Sequence, residues 1–209
     1  MKEQLYNYPE YAEVNGIKYK INTDFRVAIK CNDVSLNKDI DDLEKCLAII
    51  YLLFGNKGLD DCKNNNELII ALCEKAKTYL QCGKDIDNLD PNEKPDMDFI
   101  EDYAYIKTSF LSDYGVKLDE EHYHWWEFMD LMNGLSNSEL GNCCVLNRIR
   151  NLRTYDTKNI KDSKERRKIE EAKKQVALKR YKKEKAKATD EQLQSADAFL
   201  KELGLGKEW

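Results

Sequence analysis

In the run DIDDLEKCLAIIYLLFG, Ile40, Leu43, Leu47 and Ile50 recur at the spacing that lines one side of an α-helix. Acidic residues crowd its start, where a helix dipole is positive, and Gly55-Asn56-Lys57-Gly58 predicts its end. ELIIALCEKAKTYLQCG repeats the pattern through Leu68, Leu72, Ala76 and Tyr79 or Leu80, with Gly83 as the stop. MDFIEDYAYIKTSFLSDYG does so through Phe99, Tyr103, Ile106 and Phe110, in a helix expected to begin near Asp96. In EEHYHWWEFMDLMNGL, residues 120–135, helical spacing puts Trp125, Phe128, Met132 and Leu135 on one face. Trp126 and Met129 lie beside them, Glu127, Asp130 and Asn133 face water, and Asp119 is the expected cap.

Shorter elements fill the intervals. Asn15-Gly16 supplies two positive-φ positions for a type I′ turn between Val14 and the alternating Ile17, Tyr19 and Ile21, so AEVNGIKYKI reads as a β-hairpin. Two strands are not stable alone, and this hairpin must lean on helices. Thr23 is the expected cap of a helix reaching about Asn32, with Phe25, Ala28 and Ile29 inward. Ser136 and Glu139 have capping-box spacing ahead of Leu140, Cys143, Cys144, Leu146 and Ile149. Asp162 and Glu165 repeat that spacing before a charged helix expected to run to about Lys187. Thr189 and Gln192 open a last amphipathic stretch, and KDIDNLDPNEKP reads as a surface linker. The fold class is mainly α: a multi-helix globular bundle with a short N-terminal β-hairpin and a long basic C-terminal helix.

Composition supports this. Nine glycines and three prolines in 209 residues interrupt the chain rarely, which suits long helices. No apolar run is long enough to span a bilayer, and MKEQLYNYPEY lacks the pattern of a secretory signal. A soluble intracellular protein is expected. The seven cysteines are irregularly spaced and include no C-x-x-C. They read as reduced thiols in a cytoplasm, not as a disulfide framework or zinc site. The net charge of −5 is unevenly spread. Residues 158–187 hold 14 Lys/Arg against 5 Asp/Glu, whereas residues 1–157 hold 18 against 29. Two regions are expected: an acidic helical core domain with the hairpin, 1–157, and a charged helical arm, 158–209.

Candidate chemistry is sparse. His122 and His124, placed on a helix, project roughly 200° apart and do not share an ion; the segment reads as packing with local salt bridges. No phosphate loop, dinucleotide fingerprint, nucleophile elbow, zinc-protease pair or EF-hand loop is present. No catalytic residue, metal or cofactor is assigned. The basic arm, with Arg166, Arg167, Lys173, Lys174 and Arg180, partly matches a phosphate-binding footprint. Its glutamates sit where they pair with lysines and arginines on the same helix, and the acidic body repels nucleic acid. Docking to an acidic protein surface, including a second copy of the chain, is the better reading.

VNGIKYKINTDFRVAI, LEKCLAIIYLLF and ELIIALCEKAKTYLQCG stand in this order ahead of two further segments. These are DMDFIEDYAYIKTSFLSDYGVKLDEEHYHWWEFMDLMNGLS and RNLRTYDTKNIKDSKERRKIEEAKKQVAL. Together they resemble the gene-product-fifteen family of bacteriophages and prophages of Gram-positive bacteria, over about residues 12–178. The resemblance implies a non-enzymatic tail-assembly chaperone in the bacterial host cytoplasm. It would bind helical segments of the tape-measure protein, with a structural tail component retained in the virion as the alternative and a nucleic-acid binder as a weaker one. A chaperone of this kind needs apolar helical surface and adaptable side chains. Tyr103, Phe110, Trp125, Trp126, Phe128, Met129 and Met132 are the candidate partner-binding residues.

Overall fold

The hairpin pairs β1 (Tyr11–Val14) with β2 (Ile17–Lys20) antiparallel, Tyr11 opposite Lys20 and Val14 opposite Ile17. Asn15 and Gly16 take φ of 51° and 77°, as the two-residue turn requires. Ala12, Val14, Tyr19 and Ile21 are buried, while Ile17 at the turn end is exposed. The hairpin rests on two helices, as its size demands. The computed structural model describes residues 8–84, 95–137 and 143–181.

Seven helices follow among the described residues: α1 (Phe25–Leu36), α2 (Asp42–Asp61), α3 (Asn66–Leu80), α4 (Tyr103–Tyr114), α5 (Trp125–Asn133), α6 (Val145–Thr154) and α7 (Ser163–Val176). The protein is mainly α. Helix α2 packs on α1 and α3, α1 on α5, and α6 on both α4 and α7.

Asp24, not Thr23, caps α1 by accepting from the Arg26 amide. Thr23 instead gives its carbonyl to the Trp125 amide at 2.8 Å. Asp41 and Glu44 close a full capping box on α2. Gly55 (φ 67°, ψ −162°) breaks the helical path without ending the element, which resumes to Asp61. The break frees the Leu53 carbonyl, which accepts from Asn22 at 2.7 Å and ties the hairpin exit to the kink. The inward face of α2 is Ile50, Leu53, Phe54 and Gly58; Leu43, expected inside, is exposed. Helix α3 buries Leu68, Leu72, Ala76 and Tyr79, the predicted face.

Three helices begin later than their patterns suggest. Residues 98–102 form a turn ahead of α4, held by the Asp98 side chain accepting from the Ile100 and Glu101 amides. Helix α5 starts at Trp125, and Asp119 does not cap it; the Asp119 carboxylate accepts from Tyr103 and Lys107 on α4. Cys144, not Ser136, caps α6, because the Ser136 amide is bound to Asp113 and its carbonyl to Cys144 and Asn147. Leu140 and Glu139 lie outside the described residues.

The chain divides into two compact units, residues 1–177 and 178–209. Helix α7 lies within the first of these units. Asp162 caps it as predicted. It ends at Val176, earlier than expected, where Ala177 turns extended and the Arg153 guanidinium takes the Val176 carbonyl. The amphipathic stretch after Thr189 and the centre of the linker (residues 85–94) lie outside the described residues.

Candidate partner-binding surface

Around α5, aromatic side chains stack into the centre of the first unit. Phe128 lies between Phe25 and Phe110, with ring centroids 4.6 and 5.3 Å away and planes 13° apart in each case. Trp125 stacks on Phe128, and Phe99 meets Trp125 edge-on. The two indoles also complete α3. Trp125 donates to the Leu80 carbonyl at 2.9 Å and Trp126 to the Tyr79 carbonyl at 2.8 Å, which also accepts from the Cys82 amide, so both indoles bind carbonyls of the last turn of α3.

The histidines sit in the extended approach to α5, not on the helix. Phe25 donates to the Tyr123 carbonyl and Trp125 to the Thr23 carbonyl, so residues 123–125 pair with residues 23–25. His124 is the cap: its Nδ1 accepts from the Trp126 amide at 3.0 Å. That leaves Nε2 to donate to the Pro9 carbonyl at 3.1 Å, and Tyr8 stacks on the ring. His122 is exposed and meets Asp24 at 2.8 Å. The imidazoles go to separate partners. Among the described residues, no three His, Cys, Asp or Glu side chains gather where a metal could be held.

Of the aromatic and methionine candidates, Phe110, Trp125, Phe128 and Met132 are buried in the unit's own core. Tyr103, Trp126 and Met129 are half-buried. Tyr103 donates to Asp119 and Trp126 covers the end of α3. Met129 opens onto a cleft.

That cleft, about 430 Å³, lies between α1, α2 and α3. Ala28 and Cys31 of α1, Ile49 of α2, Leu80 of α3, and Phe99, Trp125 and Met129 line it. Asn32, Ser35, Lys77 and Gln81 bring polar groups to it. Two larger depressions, of about 710 and 610 Å³, are more open and more polar in lining. One flanks the Gly55 kink beside Lys20, Asn22 and Lys30; the other lies beside Ser136 and Arg148. Of these three, the inter-helix cleft has the most apolar lining, which suits an apolar guest.

Trp125 and Met129 are among the partner-binding candidates named from the sequence; the other lining residues Cys31, Cys46, Ile49 and Cys73 are not. The available signal was the occurrence of cysteines inside apolar helical runs, where a small side chain leaves room beside larger neighbours.

On α7, Arg167 pairs with Glu171 at 3.0 Å and Arg166 approaches Glu170 at 3.9 Å. Lys173 donates to the Tyr155 carbonyl and Lys174 is exposed. Arg180 lies beyond α7, in the second unit. No helix among the described residues is long and apolar enough to cross a membrane.

A family model described as Bacteriophage Gp15 protein matches residues 4–178. Comparison with curated proteins and with solved structures gave no significant match.

Proposed function

Because the chain belongs to the Bacteriophage Gp15 protein family, we propose that this phage protein is a tail-assembly chaperone that binds helical segments of the tape-measure protein. The observation that carries the reading is the apolar cleft between α1, α2 and α3. An amphipathic helix is recognised by a groove that takes its apolar side chains in a row while its polar face stays wet. The cleft offers Ile49, Leu80, Phe99 and Met129 to such a row. Methionine adapts to differing shapes, which suits a guest with many similar segments. The role involves no catalytic step and no cofactor. The acidic region 1–157 keeps the chaperone dispersed while its guest is unassembled.

The test is co-expression with the tape-measure protein of the same phage. The tape-measure protein should become more soluble and be retained on the tagged chain. Ile49→Glu, which puts a charge in the half-buried wall of the cleft, should remove that effect while leaving the chaperone's circular dichroism unchanged. Equal solubility with and without the chain would reject the proposal. So would stoichiometric presence of the chain in purified virions, which a transient chaperone does not show.

A further inference from the structure

Residues 46–55, CLAIIYLLFG, hold no charged side chain, so the middle of α2 is apolar all the way round. A helix of that kind is ordinarily covered on every side. Among the described residues, α1, α3 and β2 cover only part of it. Ile50, Leu53 and Phe54 are buried, whereas Tyr51 is 50% exposed and Leu47, Ala48 and Leu52 are only partly buried. Ala48, Tyr51, Leu52 and Gly55 follow Glu44 at steps of three and four, so they share the outer face. Charge is divided between the two ends of that face. At its start Asp39, Asp41, Asp42 and Glu44 are all exposed. At its other end lies the depression beside Gly55, about 710 Å³, whose charged lining is Lys20 and Lys30 with no acid. Both lysines are exposed, and neither is ion-paired among the described residues.

We propose that this face is the seam of a homodimer, in which two α2 helices pack antiparallel across a two-fold axis. The acidic start of each helix then lies against Lys20 and Lys30 of the other copy. The pattern is self-complementary in the way a two-fold interface requires, because one patch carries both halves of every contact. Aligning Glu44 of one helix with Gly55 of the other sets Tyr51 against Ala48 and Leu52 against Leu47. The small Ala48 leaves room for the ring, and both charged ends close on opposite charge. Parallel packing would instead put acid on acid and lysine on lysine, which disfavours it. A phosphate backbone fits the face worse than a second copy does, since the lysines would attract it and the four acids would repel it. The chaperone cleft uses Cys46 and Ile49, on another side of α2, so the seam does not rest on the chaperone reading.

The experiment is sedimentation of the full chain over a concentration series, where a monomer–dimer equilibrium is expected. Tyr51→Glu should weaken the dimer by about tenfold or more, since it buries a charge at the seam beside the partner's acids. Lys20→Glu with Lys30→Glu makes both ends acidic, and Asp39→Lys with Asp42→Lys makes both ends basic. Each of these double variants should be monomeric alone, yet a mixture of the two should form a heterodimer, because every end then meets its opposite. If a variant does not fold, zero-length carbodiimide cross-linking of the unaltered chain decides. In a mixture of nitrogen-15-labelled and unlabelled protein, Lys20 or Lys30 should be joined to residues 39–44 in mixed-isotope products. A monomer at every concentration would overturn the seam and leave the face to another protein. So would a dimer indifferent to Tyr51→Glu, two folded double variants that stay apart when mixed, or mixed-isotope links only elsewhere.

Discussion

Arg153 and Asp102 meet in a two-pronged ion pair, Nη1 to Oδ2 at 2.6 Å and Nη2 to Oδ1 at 2.7 Å, with the side chains only 10% and 1% exposed. The same guanidinium donates to the Asp96 and Val176 carbonyls. Asp102 also accepts from the Asp98 amide. One planar cation thus joins the turn ahead of α4, the end of α6 and the last turn of α7. The bond to Asp102 outweighs desolvation and raises the Arg153 pKa, so its charge is fixed.

Arg153→Ala should therefore be among the most damaging substitutions in the first unit. Removing one partner of a buried pair leaves the other charge uncompensated and costs about 3–5 kcal/mol. Arg153→Lys should recover little, since an ammonium cannot donate to both carboxylate oxygens and to the flanking carbonyls in one plane. Replacing both partners with apolar residues should recover only part, because the Asp98 amide then loses its acceptor. Urea unfolding of the variants measures each difference. A cost under about 1 kcal/mol, the range of exposed pairs, would contradict the burial.

His124 holds two connections at once: the cap of α5 through Nδ1 and the link to Pro9 through Nε2. His124→Ala should lose both, with the cap alone worth about 0.5–2 kcal/mol. His124→Asn keeps a capping acceptor but not the reach to Pro9, so it should be less destabilising than Ala. Limited proteolysis should then show the chain before β1 cut sooner in both variants. If Asn were no better than Ala in urea unfolding, the capping role would be refuted.

Legibility followed the range of the interactions. The buried face of α3 was plain because Leu68, Leu72, Ala76 and Tyr79 are spaced helically and all four are buried. On α2 the same rule put Leu43 inside, yet it is 40% exposed. Periodicity says that residues share a side, not how far along the helix that side has neighbours. The start of α5 was misplaced because nothing in residues 120–124 forbids helix locally. What stops it is the pairing of residues 123–125 with residues 23–25, contacts about a hundred residues apart in the chain. The cleft was hidden for the same reason: Cys31, Ile49 and Leu80 line one space only when α1, α2 and α3 pack.

Two glycines should separate backbone strain from crowding. A Cβ at Gly55 or Gly115 would meet nothing within 4 Å, so alanine there tests conformation alone. Gly115 ends α4 at φ 70°, ψ 15°, a left-handed position that asparagine tolerates. Gly55, at φ 67° and ψ −162°, occupies a region held almost only by glycine. Gly55→Ala should cost on the order of 1–3 kcal/mol. Gly115→Asn should be much milder than Gly55→Asn. Equal costs for the two asparagine variants in urea unfolding would show that the kink at Gly55 relaxes to ordinary helix.

Tyr19 supplies a pH test. Burial first, and then its bond to Asp61, push the phenol from its ordinary 10 up to about 12. The folded protein thus favours the neutral phenol, which donates to Asp61 at 3.0 Å. Below pH 10 both folded and unfolded chains keep the proton, and the contribution to stability is fully present. Between pH 10 and 12 the unfolded chain loses it while the folded chain holds it, so stability falls as pH rises. Tyr19→Phe lacks that loss. At neutral pH it should be less stable than the unaltered protein by about 1 kcal/mol, one hydrogen bond. Across the alkaline window the difference should shift by roughly 2–3 kcal/mol in the variant's favour, so the order reverses and Tyr19→Phe becomes the more stable protein above about pH 12. Other tyrosines titrate equally in both proteins, so the difference between the two urea series isolates Tyr19. A gap that stayed constant with pH would mean that the phenol is not held neutral by the fold.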